Sequence, residues 1–403
     1  MEAVPQSFPE KPKAKRRERE AMWALTGGKI LTPEGFREGW ALIYDHRIRA
    51  VGREQDLPGG VERLEVRGLW VCPGFIDLHV HGARGVDVMD ATPEAIKAMA
   101  RSLGASGVTS FLATTMTMPL PRIVAALGAI REALGAAPGG ARILGAHLEG
   151  PFIDPGHKGA QDAAHVLPPD GEFIKAHRDV IRIVTLAPER DPGFRCLDAL
   201  RASGVVFSLG HSGATFEEAL EGVAHGIRHA THLFNAMPPF HHRRPGPVGA
   251  ALVSDDVTCE LIADGVHVHP GLYPLIYRLK GPHRLVLVSD AMRGGGLGEG
   301  VWDLGGQQVT VRGGEARLAD GTIAGSVLTL DRALRNFREG TGLSLEEMMP
   351  LTSGNAARVL GMDHRLGRVA PGYDADLVLL DDEGVVRRTV VGGETIYDAV
   401  DGS

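Results

Sequence analysis

The chain has 403 residues, 43% of them hydrophobic and 23% charged, with a net charge of −7. That length admits one large α/β domain with a smaller companion, and the negative charge excludes a general attraction to nucleic acid. Three widely spaced cysteines (Cys72, Cys196 and Cys259) exclude a disulfide framework or a zinc–thiolate site, and no apolar run is long enough to span a bilayer, so the cytoplasm is the expected compartment.

Residues 1–20 hold six Lys/Arg and four Glu, which gives this segment +2 and the remainder −9. The run KPKAKRRERE lacks the apolar stretch of a secretory signal and reads as a solvated, disordered tail rather than a nucleic-acid arm. Residues 21–72 read as short alternating strands between turns, as in ALTGGKILTPEGF and ALIYDHRIRAVGR. The same texture returns over residues 361–403, so a small β-sandwich built from both chain ends is expected.

Residues 73–360 alternate. Eight short apolar runs recur: PGFIDLHVH, VTSFLATT, ARILGAHLEG, VIRIVTLAPE, GVVFSLGHS, IRHATHLFN, VTCELIADGVHV and HRLVLVSDAM. Helical patterns stand between them, one opening on Thr92 as N-cap and stopping at the glycines of SLGASG. Eight strands with crossovers predict an α/β fold, a (β/α)8 TIM-like barrel. Trp302–Ala324 predicts a β-hairpin inserted after the eighth strand.

Several of these runs end in an ionisable residue. In a barrel all strands are parallel, so such ends gather on one face, where barrel enzymes place their chemistry. Period-2 geometry puts Asp77, His79 and His81 on one side of the first strand, and two imidazoles two residues apart can share one ion. Glu149 ends the third run. His211 and His232 close two others, and with Glu149 they form a two-nitrogen, one-oxygen metal set on non-adjacent strands. Asp290 ends the last strand, where a carboxylate can move protons to and from water and a leaving amine. The 17 histidines point the same way. Bland readings are a rim or core histidine, a salt-bridged buried glutamate and a capping aspartate. Other chemistries fit poorly: LGHSGA puts Ala214 where a serine nucleophile elbow needs glycine, and GGGLGEG misses the dinucleotide spacing.

The motifs PGFIDLHVHG, HLEGPFIDPGHKGAQ, LGHSGAT, HATHLFNAMPP, IADGVHVHP, VSDAM and AGSVLTLDRALRN resemble those of the N-acetylglucosamine-6-phosphate deacetylases of the amidohydrolase superfamily. The resemblance runs from about Gly27 to Tyr397. It implies one or two divalent ions per chain, with Glu149, His211 and His232 as principal ligands and His79 and His81 as a second pair. It implies Asp290 as catalytic acid/base, and Asn235, Ala236, Arg243, His267 and Gln161 as substrate-binding residues, Arg243 meeting the phosphate. Gln161 stands where some members carry a histidine. The resemblance also implies an amino-sugar phosphate as substrate and a homodimer. Histidine and carboxylate ligands suit zinc, iron, manganese and cobalt alike. Rival readings are a deacetylase for the galactosamine epimer, a dihydroorotase-like or aminoacylase-like amidohydrolase, and a non-catalytic sugar-phosphate sensor. No lysine ends a strand candidate to serve as the carboxylated bridge of a dihydroorotase.

Overall fold

A computed structural model describes residues 22–135 and 137–399. The expected basic tail, residues 1–20, lies outside the described residues. All eight apolar runs are strands: β1 (Phe75–Val80), β2 (Val108–Thr114), β3 (Arg142–Glu149), β4 (Ile181–Leu186), β5 (Val206–Leu209), β6 (Ile227–Ala230), β7 (Thr258–Ile262) and β8 (Leu285–Val288). They pair in parallel and in chain order within one sheet. Helices cover its outer face, so the strands are buried on both sides and read as continuous apolar runs.

A helix follows each strand: α1 (Pro93–Leu103), α2 (Leu120–Ala133), α3 (Gly171–Ala176), α4 (Arg195–Leu200), α5 (Phe216–Ala224), α6 (Gly246–Val253), α7 (Tyr273–Lys280) and α8 (Leu330–Thr341), with two shorter ones, Leu345–Met349 and Asn355–Val359, after the last. The starts follow local rules. Thr92 caps α1 by accepting from Ala95 N–H at 3.2 Å, with Pro93 at the first helical position. Thr215 and Glu218 form a reciprocal capping box at the start of α5. α1 turns Ala95, Ile96, Met99, Ala100 and Leu103 inward, the spacing of one helical face.

The sheet closes between its ends. Asp290 N–H donates to His79 O, and His81 N–H to Ala291 O, both at 2.8 Å. Below them Ser289 Oγ donates to Asp77 Oδ2 at 2.5 Å. Asp77, buried at this seam, is pushed up to about 6 by desolvation, which its hydrogen bonds only partly offset. Closure thus sets His79, His81 and Asp290 side by side at the strands' C-terminal edge.

Both chain ends build the second unit. One sheet holds Ile48–Arg53, Trp40–Tyr44, Trp23–Thr26 and Glu62–Glu65; the other holds Glu394–Asp398, Val386–Val391, Leu377–Leu380, Trp70–Pro73, Lys29–Thr32 and Gly35–Arg37. Leu25, Leu42 and Ile48 from the first share an apolar core with Ile30, Val71, Leu377 and Leu379 from the second. Leu377 and Leu379 face that core while Val378 and Leu380 face the barrel's, the period-2 pattern of a strand buried on both sides.

The insertion after β8 differs from expectation. It is a three-stranded antiparallel meander, Gly300–Leu304, Gln307–Arg312 and Glu315–Arg317, not a hairpin. Two Gly-Gly pairs, Gly305-Gly306 and Gly313-Gly314, all with positive φ, make two tight turns where a hairpin has one.

Candidate active site

Six side chains converge at the mouth of the barrel. Glu149 Oε1 lies 3.1 Å from His211 Nε2 and 3.0 Å from His232 Nε2, and the two ring nitrogens are 3.1 Å apart. His79 Nε2 and His81 Nε2 are 3.3 Å apart, and Asp290 Oδ1 is 3.5 Å from the first and 3.2 Å from the second. Glu149 joins the two groups: Oε1 is 3.4 Å from His79 Nε2, and Oε2 is 3.3 Å from His81 Nε2. All six are buried. The expected strand relation needs one correction. His211 and His232 follow β5 and β6, which are hydrogen-bonded neighbours, because consecutive strands are adjacent in this barrel; only Glu149, on β3, stands apart.

The outer ring nitrogens reveal the tautomers. His79 Nδ1 donates to Glu260 Oε2 at 2.9 Å, His81 Nδ1 to Thr114 O at 3.2 Å, and His211 Nδ1 to His157 O at 3.0 Å. Each acceptor is an oxygen without a proton, so each of these Nδ1 atoms carries a hydrogen, and each Nε2 can turn a lone pair inward when a metal ion takes the place of its own proton. Lone pairs and carboxylate oxygens aimed at common points repel one another unless a cation sits between them. Ligand atoms bound to one ion at about 2.0–2.2 Å stand about 3.3–3.6 Å apart; the 3.2–3.5 Å spacings of His79, His81 and Asp290 lie near this, and Glu149, His211 and His232, at 3.0–3.1 Å, need only open by a few tenths of an ångström. The donor set therefore fits divalent cations at Glu149, His211 and His232 and at His79, His81 and Asp290.

A third cluster of His79, His147 and Glu260 is closed by its own hydrogen bonds. His147 uses Nδ1 on Leu78 O at 2.9 Å and Nε2 on Thr185 Oγ1 at 2.7 Å, leaving no nitrogen for an ion. Burial, assisted by His79, pushes this imidazole down to about 3, so it stays neutral. Glu260 accepts from His79 Nδ1, from His229 Nε2 at 3.0 Å and from His232 N–H at 3.1 Å. Sequence reasoning missed Glu260. Its signal was a lone carboxylate inside the strand run TCELI, which burial makes untenable without partners.

Burial raises the carboxyls of Glu149 and Asp290, but the imidazoles around them more than reverse it. His79 and His211 hold Glu149 well below the usual range, and His79 and His81 hold Asp290 below it. The backbone shows how these residues are aimed. His211, His232, Ala236 and Asp290 all have positive φ, at 49°, 28°, 52° and 48°. His211, His232 and Asp290 each stand two residues past a strand end, and Ala236 lies in the loop after β6; all four occupy a region costing a non-glycine residue about 1–2 kcal/mol.

A cavity of about 240 Å³ opens over the triads. His81, Glu149, His211, His232 and Asp290 form its floor; Gln161, Asn235, Ala236 and His267 form its walls, with Met116, Leu304 and Ile323 as apolar lining. His267 Nδ1 donates to Asp264 Oδ2 at 2.6 Å, which fixes the ring and leaves Nε2 for a ligand. Asp264, three residues before His267, was also not singled out in the sequence. Arg243 does not line the cavity; it is exposed on the loop after Ala236, its backbone N–H donating to His241 Nδ1 at 3.3 Å. Among the described residues no helix is long and apolar enough to cross a membrane.

Comparison with known proteins agrees with this geometry. Residues 70–396 match the Amidohydrolase family, whose members use a divalent metal. The chain is 42% identical over 338 residues to an N-acetylglucosamine-6-phosphate deacetylase of Lysinibacillus sphaericus, covering 83% of this chain and 87% of that protein. It is 36% identical over 384 residues to an N-acetylgalactosamine-6-phosphate deacetylase of Escherichia coli O157:H7, covering 92% and 98%. A Mycobacterium smegmatis N-acetyl-D-glucosamine-6-phosphate deacetylase variant, solved with N-acetyl-D-glucosamine-6-phosphate, superposes with a TM-score of 0.86 at 32% identity over 93% of this chain and 99% of that one. The chain belongs to the amidohydrolase family, in the branch formed by the N-acetylglucosamine-6-phosphate deacetylases.

Proposed function

We infer that the chain hydrolyses the acetamide of N-acetyl-D-glucosamine 6-phosphate to D-glucosamine 6-phosphate and acetate. The observation that carries this is the placing of Asp290 with Glu149 and two inward-facing pairs of imidazoles at the floor of a cavity sized for a small sugar. Glu149, His211 and His232 hold a divalent ion, zinc or iron, with manganese and cobalt chemically compatible; His79 and His81 with Asp290 can hold a second. Such an ion supplies Lewis acidity, acidifying water and polarising a carbonyl oxygen. Asp290, ionised despite its burial, takes a proton from the attacking water and delivers it to the nitrogen as the C–N bond breaks. His267, steadied by Asp264, and the walls at Gln161, Asn235 and Ala236 orient the sugar.

Arg243 is the proposed phosphate anchor, since a guanidinium meets phosphate oxygens in pairs. It lies outside the cavity lining, so its loop must fold over the mouth or a second copy of the chain must supply the contact. A homodimer is supported by exposed apolar side chains at Phe240, Val253, Leu272, Leu275 and Leu279, of which the last three recur at helical spacing along α7 and its approach. Light scattering that returns a monomer would remove the dimer. Three buried, unpaired cysteines support a cytoplasmic setting.

The test is an acetate-release assay on both N-acetylhexosamine 6-phosphates and on N-acyl amino acids, before and after chelation. Turnover of the glucosamine compound that falls on chelation and returns with added zinc or iron is expected. Turnover of amino acids alone would overturn the substrate; preference for the galactosamine compound would favour the runner-up reading, which the 36% identical relative keeps in view.

A further inference from the structure

Gln161 does not stand in the site as a free amide. It is 2% exposed and tied at both ends: Oε1 accepts from Thr117 N–H at 2.6 Å, and Nε2 donates to Glu149 Oε2 at 2.7 Å. Because a backbone N–H can only donate, Thr117 fixes which end of the amide is oxygen, and hence which end faces the carboxylate. Glu149 in turn is divided. Oε1 faces His211 and His232 at 3.0–3.1 Å and reaches His79 only at 3.4 Å; Oε2, the oxygen that Gln161 occupies, is the one facing His81.

We propose that Gln161 is a positioning residue that makes the two metal sites unequal. This deepens the metal reading above and rests on it. The amide prevents the Glu149 carboxylate from rotating and holds Oε1 toward the first triad, which preorganises that site. It also draws charge from Oε2 and fills part of its lone-pair space, which leaves Oε2 the poorer ligand for an ion at His79, His81 and Asp290. One Nε2 hydrogen remains for the substrate. Removing the amide frees the carboxylate to turn, so the first site loses preorganisation while the second gains a better oxygen.

The full-length chain, stripped with a chelator, is titrated calorimetrically with zinc beside Gln161→Leu and Gln161→Met, which keep the volume and lose the donor. The native chain is expected to bind in two steps, the second at least tenfold weaker. In both variants the ratio of the two dissociation constants is expected to shrink by about tenfold or more, the usual scale for a hydrogen bond that supports a metal ligand. A general loss of stability weakens both steps together and leaves that ratio alone. A native chain binding one ion while a variant binds two is the same result in its extreme form. An unchanged ratio, or one ion in all three proteins, overturns the proposal. A native chain that binds no zinc overturns the metal reading instead. Should the leucine variant fail to fold, the methionine variant carries the comparison.

Discussion

The mouth of the barrel and the sheets built from the chain ends bend their backbones by different means. In the described parts of the end-built unit, residues 22–72 and 361–399, every positive φ belongs to a glycine, among them Gly27, Gly35, Gly372 and Gly393. At the barrel mouth the same region of backbone space is held by His211, His232, Phe234, Ala236 and Asp290. A turn that only reverses direction can dispense with its side chain, and glycine enters the left-handed region at no steric cost. A turn that must also present an imidazole or a carboxylate cannot. The neighbouring hydrogen bonds then hold the strained residue: Asp290 N–H on His79 O, and His232 N–H on Glu260.

The largest effect expected from this difference is at Asp290. Asp290→Asn keeps the shape and the backbone but removes the group that moves the proton. Turnover should fall by about 10²- to 10⁴-fold, with substrate binding, measured calorimetrically, largely kept and the melting temperature little changed. Near-native turnover would remove Asp290 from proton transfer and leave its strained backbone without a catalytic reason.

The same contrast explains what the sequence could show. The barrel was legible because its eight strands are buried on both faces and read as unbroken apolar runs, and because parallel strands bring His79, Glu149, His211, His232 and Asp290 to one edge whatever their separation in the chain. The supporting carboxylates were not. Glu260 sits mid-strand among apolar residues, and nothing local says that its partners are His79 and His229, 181 and 31 residues away. Gln161 was legible as a departure from a motif, but its bond to Glu149 depends on Thr117, 44 residues earlier on another loop. Arg243 matched by spacing alone, and spacing along an exposed loop does not fix where a side chain reaches. In the end-built unit the meaning of each turn was local, so its texture was readable even though its strand partners were not.

Removing the cation should turn the rim's charge against it. Without an ion, Glu149 and Asp290 face each other through His79 and His81. Burial lowers His81, but the carboxylates of Asp290 and Glu149 raise it further, to about 9, and His79 moves upward for the same reason. A folded-state pKa above the unfolded 6.5 means that the folded chain binds the extra proton. This contribution is therefore fully present below pH 6.5 and lost as pH rises through about 9, about 3 kcal/mol for His81. Chelated protein should lose melting temperature between pH 6 and 9.5, while metal-loaded protein, whose inward lone pairs are engaged, should not. Parallel loss in both forms would mean that the triads are not what titrates.

The smallest effect separates the two ways of bending most directly. Gly393→Ala puts a methyl group into a left-handed position, φ 83°, and against the backbone carbonyl of Asp45, which cannot move aside. A loss of about 2–3 kcal/mol is expected from left-handed strain plus overpacking. Ala236→Gly runs the other way. It relieves about 1–2 kcal/mol of strain at φ 52° and gives back about 0.5–1 kcal/mol in unfolded-chain entropy, for a net gain between nothing and about 1.5 kcal/mol. Ala236 also lines the cavity, so kcat/KM should drop while stability rises. Denaturant melts of both variants beside steady-state kinetics measure this. If Ala236→Gly loses about 0.5–1 kcal/mol, the full entropy cost with nothing relieved, the left-handed backbone at the rim is not strained, and the positions of His211, His232 and Asp290 must be held by something other than the balance between strain and the hydrogen bonds around them.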